Sequence, residues 1–307
     1  MLKILIASSS TISIPIIKAV SQNPSNSLQG IVTNADKATG RGQARVENSL
    51  AKWCRQQGMT VHKPSTDGEL GDLLSSSKSD LVITVAYGKM ISSDLLRYPK
   101  YGWLNIHFSV LPRWRGAAPV QWAILSGETT TGVTIFKLDD GMDTGPVYDS
   151  IEYQIPEQAS TSEVLDLLSV KASQLILSTL DKIERAVPPT PQPKDLFPRA
   201  RKFSKEDGLI DWNQNKEQIL RQYRALAENP GIYTHLRENR IKINEMSFTE
   251  VEKVLSPGEI ALNGNKMLVG CLDGVIEIKN LTPAGRSTMG GADYLRGLGN
   301  ILELNFG

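Results

Sequence analysis

Short apolar runs alternate with segments whose apolar residues recur every three or four positions, and the alternation continues through the first half of the chain. Lys3 to Ala7, Leu28 to Thr33, Asp80 to Tyr87, Trp103 to His107 and Thr131 to Leu138 are short and mostly apolar. Bounded by polar and turn-forming residues, they predict strands. Between them, Ser13 to Val20 predicts a helix with Pro15 in its first turn, where a missing N–H is harmless. Ser49 to Gly58 predicts another, with Gly58 as its C-terminal cap. Strand–helix alternation predicts an α/β fold: an open, mostly parallel twisted sheet of Rossmann-like form. In such sheets ligands bind beyond the carboxyl ends of the strands.

The second half reads differently. Ser160-Thr-Ser-Glu163 has capping-box spacing, and Val164, Leu165, Leu168, Ala172, Leu175, Ile176 and Leu180 follow it with helical period. This long helix closes a first domain at 1–186. Pro188-Pro-Thr-Pro-Gln-Pro193 predicts an extended connector within 187–207. From Arg185 to Lys205 basic residues (Arg185, Lys194, Arg199, Arg201, Lys202, Lys205) outnumber the single acid Asp195. A helix is predicted from Lys216 to Leu226, followed by β-like runs at Arg240 to Ile243, Pro257 to Ala261, Lys266 to Cys271 and Val275 to Leu281. Short strands at that spacing predict a small β-barrel, of OB-like size, over 208–307.

Composition narrows the function classes. With 307 residues and a net charge of +1, one large and one small domain are expected, and any nucleic-acid contact must come from local patches. Cys54 and Cys271 are far apart and belong to no ligand cluster, so neither a disulfide framework nor a metal site is expected. The apolar start is too short for a signal peptide and no run spans a membrane, which makes cytoplasm the expected location. The first strand–helix turn, Ala7-Ser-Ser-Ser-Thr11, lacks the glycines of a dinucleotide site, and no P-loop or Gly-x-Ser-x-Gly elbow occurs.

The remaining chemistry lies in two segments. Asn105 and His107 are two apart at a strand end, so an extended backbone turns both to one side. Asp143 sits in the turn-forming stretch Asp139-Asp-Gly-Met-Asp-Thr-Gly145 after the next strand. If those strands are adjacent and parallel, the three side chains share a target. They would supply an amide donor, a proton carrier or oxyanion stabiliser, and a carboxylate that orients the imidazole or a water. Taken singly, each also fits a structural role; an Asp in such a turn is commonly a turn former.

The run Asn105-Ile-His-Phe-Ser-Val-Leu-Pro-Arg-Trp-Arg-Gly-Ala-Ala-Pro119 resembles the signature of the methionyl-tRNA formyltransferase family. The resemblance extends through Gly40-Arg-Gly42, Val85-Ala-Tyr-Gly88, Gly132-Val-Thr-Ile135, Asp140-Gly-Met-Asp-Thr-Gly145, Pro191-Gln-Pro193, Ser204 to Gly208, Ile210-Asp-Trp212 and Leu281 to Gly285, in the family's order. It implies formyl transfer from 10-formyltetrahydrofolate to the amino group of initiator methionyl-tRNA. Catalytic Asn105, His107 and Asp143 are implied, with folate contacts at Val85, Tyr87, Gly88, Ser109, Val110, Leu111 and Pro112, and no metal. It further implies a tRNA-probing loop containing Lys37, Arg41, Gly42 and Arg45. Arg201, Lys202 and Lys205 of the basic segment are assigned to phosphate contacts, and the protein is expected to be a monomer. The chain departs from the pattern at Ser8 to Ser13, where the family has Gly-Thr-Pro-x-Phe-Ala, and at Phe108 and Val110. Glu228-Asn-Pro-Gly231 lacks the family's tryptophan.

Two other readings share some of these features. A folate-dependent formyltransferase acting on an amino-sugar nucleotide or on glycinamide ribonucleotide would carry the same trio, and a non-catalytic RNA-binding module would carry it without using it. The Gly-Arg-Gly loop and the basic segment favour tRNA.

Overall fold

Apolar runs such as Leu2–Ser8 and Leu81–Val85 are covered on both faces and form the middle of one seven-stranded sheet, whereas its edge strand Val147–Gln154 is polar and partly exposed. The computed structural model describes residues 1–39, 44–299 and 304–307. It divides into two compact units: 1–119 with 130–154 and 162–200, and 120–129 with 155–161 and 201–307.

In chain order the elements up to residue 200 are β1 (Leu2–Ser8), α1 (Ile14–Gln22), β2 (Asn26–Val32), β3 (Lys37–Thr39), β4 (Ala44–Val46), α2 (Ser49–Gln56), β5 (Val61–His62), α3 (Asp67–Ser77), β6 (Leu81–Val85), α4 (Ser93–Arg97), β7 (Trp103–His107), β8 (Arg115–Gly116), α5 (Pro119–Leu125), β9 (Thr130–Lys137), β10 (Val147–Gln154), α6 (Thr161–Glu184) and β11 (Arg199–Ala200). The sheet order is β10-β9-β7-β6-β1-β2-β5. Five strands, β5 to β7 in that order, are parallel, as predicted from the alternation. Ile4, Leu5, Ile6, Leu81 and Trp103 are fully buried at its centre.

β9 corrects one expectation. It neighbours β7 but runs antiparallel to it, with Leu104 opposite Lys137 and His107 opposite Thr134. The loop after β9 therefore starts beside Leu104, roughly 10 Å along the strand from His107. It must double back to bring Asp143 to the imidazole.

The stretch read as a connector is largely part of the first unit. Thr190 bridges Val147, and β11 pairs in parallel with β8. Gly116 is required there: a Cβ on it would lie 2.3 Å from the Ala200 carbonyl oxygen, and its φ is +128°.

The second unit contains α7 (Lys216–Leu226), β12 (Ile232–Leu236), β13 (Asn239–Ser247), β14 (Ile260–Asn263), β15 (Lys266–Cys271), β16 (Gly274–Pro283), β17 (Met289–Gly290) and α8 (Gly291–Leu298). Asn215 caps α7 in a capping box with Gln218. The antiparallel order is β12-β13-β16-β15-β14, with β17 on β16. Residues 304–307 then reach both edges. Phe306 bridges Leu236 at the end of β12, and Asn305 bridges Glu259 just before β14. The sheet is thus closed into a small barrel-like domain, which leaves few unpaired edges. Inside it Trp212 donates to the Thr234 hydroxyl at 3.0 Å and stacks on buried Phe306. Among the described residues no helix is long and apolar enough to cross a membrane.

Candidate active site

Beside the carboxyl ends of β6 and β7 lies a cavity of about 550 Å³. Asn105, His107 and Asp143 all line it. Asn105 and His107 share one side of β7, as the i, i+2 spacing requires. Asp143 arrives from the doubled-back loop.

Each of the three is held by specific neighbours. The Thr84 hydroxyl lies 2.7 Å from Asn105 Oδ1 and 2.9 Å from the Leu104 carbonyl oxygen, two acceptors for its one proton, and the Asn105 amide nitrogen is the end that Thr84 does not engage. His107 Nε2 lies 2.9 Å from the Trp114 carbonyl oxygen. A carbonyl only accepts, so Nε2 carries a proton and the neutral ring presents a bare Nδ1. That nitrogen lies 3.8 Å from Asp143 Oδ2. Phe136, packed edge-on at 6.4 Å, contacts the ring as well. Asp143 Oδ2 accepts from the Gly116 amide at 2.8 Å.

His107 is buried, and its pKa lies below the ordinary histidine value. Burial, which disfavours the imidazolium, is the larger cause; Asp143 and the Trp114 carbonyl act in the opposite direction. The resting ring is neutral at pH 7. Two acceptors, Nδ1 and the carboxylate, thus face each other across a gap suited to a group that brings a proton.

Backbone strain gathers at the same place. Of the six non-glycine residues with positive φ among the described residues, Ala86 (+46°) and Asp143 (+55°) line the cavity, and Trp114 (+62°) supplies the carbonyl that holds His107. Such conformations cost about 1–3 kcal/mol each and cluster where function needs a fixed geometry.

The donor-site expectations divide. Tyr87 and Gly88 line the cavity; Val85, Ser109, Val110, Leu111 and Pro112 are not on its wall. Val85 is buried within β6. The 109–112 turn is fastened behind the wall: Ser109 Oγ donates to the Arg113 carbonyl, and the Thr134 hydroxyl donates to Ser109 O while accepting from Leu111 N. Sequence reasoning missed Thr84 and the apolar wall of Met90, Ile91, Leu96, Phe108 and Met142. The lone polar residue in the apolar strand Leu81–Val85 was the available signal for Thr84.

The RNA-contact expectations also divide. Arg41 and Gly42 lie outside the described residues. Lys37 begins β3, and Arg45 is exposed on β4. At the base of that hairpin Lys63 pairs with Asp36 at 2.5 Å and Glu47 at 3.7 Å. Lys202 and Lys205 are exposed. Arg201 makes a two-pronged ion pair with Asp207 at 2.8 and 2.5 Å, and its guanidinium lies over the stacked rings of Trp122 and Phe203. It is engaged within its own unit, and that pairing holds the Asp207 carboxyl well below the ordinary carboxylate range.

The closed sheet supplies a cationic strip that the near-neutral composition concealed. Tyr233 and His235 of β12 stand outward opposite Lys242 and Arg240 of β13. The Arg240 guanidinium lies 3.8 Å from the Tyr233 ring centre, and Tyr233 meets His235 edge-on at 5.5 Å. Among the described residues no group of three or more His, Cys, Asp or Glu side chains is placed to hold a metal ion.

Comparison with known proteins follows the same division. Residues 2–180 match the family model described as formyl transferase, and residues 202–299 match that of the formyl transferase C-terminal domain. A methionyl-tRNA formyltransferase from Salinispora tropica is 30% identical over 300 residues, 97% of each chain. One from Corynebacterium diphtheriae is 35% identical over 277 residues, covering 88% of this chain and 89% of its relative. One from Renibacterium salmoninarum is 31% identical over the full length of both. Among solved structures, a variant of HypX from Aquifex aeolicus superposes with a TM-score of 0.70 at 20% identity, covering 98% of this chain; this chain spans 49% of HypX. The sugar 3N-formyltransferase WlaRD gives a TM-score of 0.65 at 16% identity, covering 94% of this chain and 99% of WlaRD. At these identities the two structures share the fold.

Proposed function

The chain belongs to the methionyl-tRNA formyltransferase family, and from that premise we propose that it transfers the formyl group of 10-formyltetrahydrofolate to the α-amino group of methionyl initiator tRNA by direct attack of the amine. The observation that carries this reading is the convergence of Asn105, His107 and Asp143 on one cavity. Its volume suits a small-molecule ligand, and Met90, Ile91, Leu96 and Phe108 offer an apolar slot for a flat heteroaromatic ring.

The chemistry follows from the side chains. The amine nitrogen attacks the formyl carbon, and the carbonyl π pair moves onto oxygen. The Asn105 amide nitrogen is the donor for that oxyanion, because Thr84 occupies the other end of the amide. Loss of one such donor costs about two to three decades in rate. The attacking nitrogen must shed a proton. The bare Nδ1 of His107 accepts it, and Asp143 stabilises the imidazolium that forms. The tetrahedral species then collapses: the bond from carbon to the folate nitrogen breaks, and that nitrogen takes the proton from His107. No covalent enzyme intermediate is required.

Acceptor choice rests on the family and on the cationic surfaces. Arg240 and Lys242 with Tyr233 and His235, together with Lys202, Lys205 and Arg45, suit an RNA backbone. Arg41 is assigned to the tRNA-probing loop by resemblance. An initiator tRNA acceptor puts the reaction in the cytoplasm, at translation initiation.

The test is to incubate the purified protein and 10-formyltetrahydrofolate with charged initiator tRNA and, separately, with a dTDP-amino sugar. Formyl-methionine on the tRNA is expected. Formylation of the sugar nucleotide with Met-tRNA left unmodified overturns the proposal.

A further inference from the structure

Gln192 lies in the proline-rich stretch and has no obvious chemistry of its own. Its side-chain amide nevertheless uses its whole hydrogen-bonding capacity on the active-site scaffold. Nε2 donates to the Asp143 carbonyl at 3.0 Å and to the Gly145 carbonyl at 2.7 Å. Oε1 accepts from Arg115 Nε at 3.1 Å and Nη2 at 2.7 Å. The residue therefore joins the two pieces of backbone that set the Asp143 carboxylate. One is the doubled-back loop, which leaves β9 far from His107 and places Asp143 at φ +55°. The other is β8, whose Gly116 amide donates to Asp143 Oδ2.

Neither piece is secured by regular structure. β8 is two residues long and pairs with the two residues of β11, flanked by bonds from Trp114 N to the Pro198 carbonyl and from Ala117 N to the Ala200 carbonyl. The 138–146 loop has its own Asp139 turn, in which Asp139 Oδ1 accepts from Gly141 N and the Thr144 hydroxyl, and Ser93 donates to the Asp140 carboxylate; these bonds shape the loop and join it to α4, while β8 is reached through the Gly116 amide and Gln192. The bridge between Val147 and Thr190 brings the Gln192 segment alongside. Gln192 then closes the gap between loop and strand.

We propose that Gln192 is a positioning residue for the reaction: by donating to the Asp143 and Gly145 carbonyls while accepting from Arg115, it holds the Asp143 carboxylate against the Nδ1 side of His107. The proposal rests on reading Asp143 and His107 as the reacting pair. It assigns the proline-rich stretch a part in the site itself. The flanking Pro191 and Pro193 limit the backbone freedom of Gln192, and the Pro193 carbonyl also accepts from Arg115 Nη2 at 3.5 Å.

Gln192→Met keeps the length and volume of the side chain and removes all four hydrogen bonds. With Asp143 released, kcat should fall by about ten- to a hundredfold, the range that small misplacements of a reacting group produce. KM for the folate donor should stay within about threefold. The decisive readout needs no substrate: the NMR titration of the His107 imidazole, assigned against a His107→Gln control among the chain's three histidines. Asp143 raises the His107 pKa, so in Gln192→Met the titration should move to lower pH, in the direction of Asp143→Asn. A purely structural role would lower the melting temperature and leave that titration in place. Gln192→Asn retains the amide on a shorter arm and carries the test if the Met variant does not fold; it should give an intermediate shift. An unchanged His107 titration in the folded variants overturns the proposal. Because the titration is read without an acceptor, failure of Met-tRNA formylation is scored separately.

Discussion

His107 sits under two opposed influences, and their balance decides its chemistry. Burial holds the ring neutral, while the carboxylate 3.8 Å away favours the charged form. A ring that is neutral at rest and stabilised when charged is suited to accept a proton during the reaction and release it afterwards. Asp143→Asn removes the favouring charge. We expect kcat to fall by about two decades or more and the imidazole to titrate at still lower pH; a titration that stays put or rises would remove Asp143 from this role. The same balance has a stability sign. The folded pKa is below the unfolded value near 6.5, so the unfolded chain binds more protons between the two. The contribution of His107 is fully present above about pH 6.5 and is lost as pH falls through the folded value. At this scale the sequence was informative: the two-residue spacing of Asn105 and His107 fixes their common side because strand geometry alone dictates it. Thr84 showed only as a lone polar residue in an apolar strand and Gln192 only as part of Pro191-Gln-Pro193, because what each does lies in a partner, Asn105 and Arg115, 21 and 77 residues away.

Elements show where pattern reading works and where it fails. Lys266–Cys271 was predicted to the residue because it is a short apolar run bounded by the turn residues Gly264-Asn265 and Asp273-Gly274. β12 was overlooked although Ile-Tyr-Thr-His-Leu alternates inward and outward; its polar outward residues hid the strand. The parallel expectation for β9 failed because a strand's own sequence does not record the direction of its neighbour. The two-residue pair β8–β11 is beyond any periodicity argument, yet it delivers the Gly116 amide to Asp143. Gly116→Ala tests that pair. Its Cβ would press on the Ala200 carbonyl, so the strands must separate. We expect a loss of about 1–3 kcal/mol in chemical denaturation together with reduced kcat. Wild-type values for both would show that the pairing is dispensable.

For the whole molecule, charge distribution matters more than net charge. A total of +1 gave no reason to expect RNA, but the register of the β12–β13 pair sets Arg240 and Lys242 beside two aromatic rings on one outward face. If that strip meets phosphate, Arg240→Ala with Lys242→Ala should raise KM for tRNA. It should also flatten the dependence of log affinity on log salt by about one unit per cation removed, and leave kcat at saturating tRNA unchanged. A salt slope equal to that of the unaltered protein would assign the strip another role.

The sequence by itself determined the α/β character of the first half, the short-strand character of the second, and the identity of three chemically able residues, because period, spacing and local propensity are properties of neighbours along the chain. Tertiary structure decided that Asp143 reaches His107 from an antiparallel strand by a returning loop, that the 109–112 turn stands behind the cavity wall, and that Gln192 of a proline-rich stretch hydrogen-bonds to the Asp143 and Gly145 carbonyls. Those depend on contacts between residues tens of positions apart, whose energies are set by packing and by hydrogen-bond partners that no local pattern encodes.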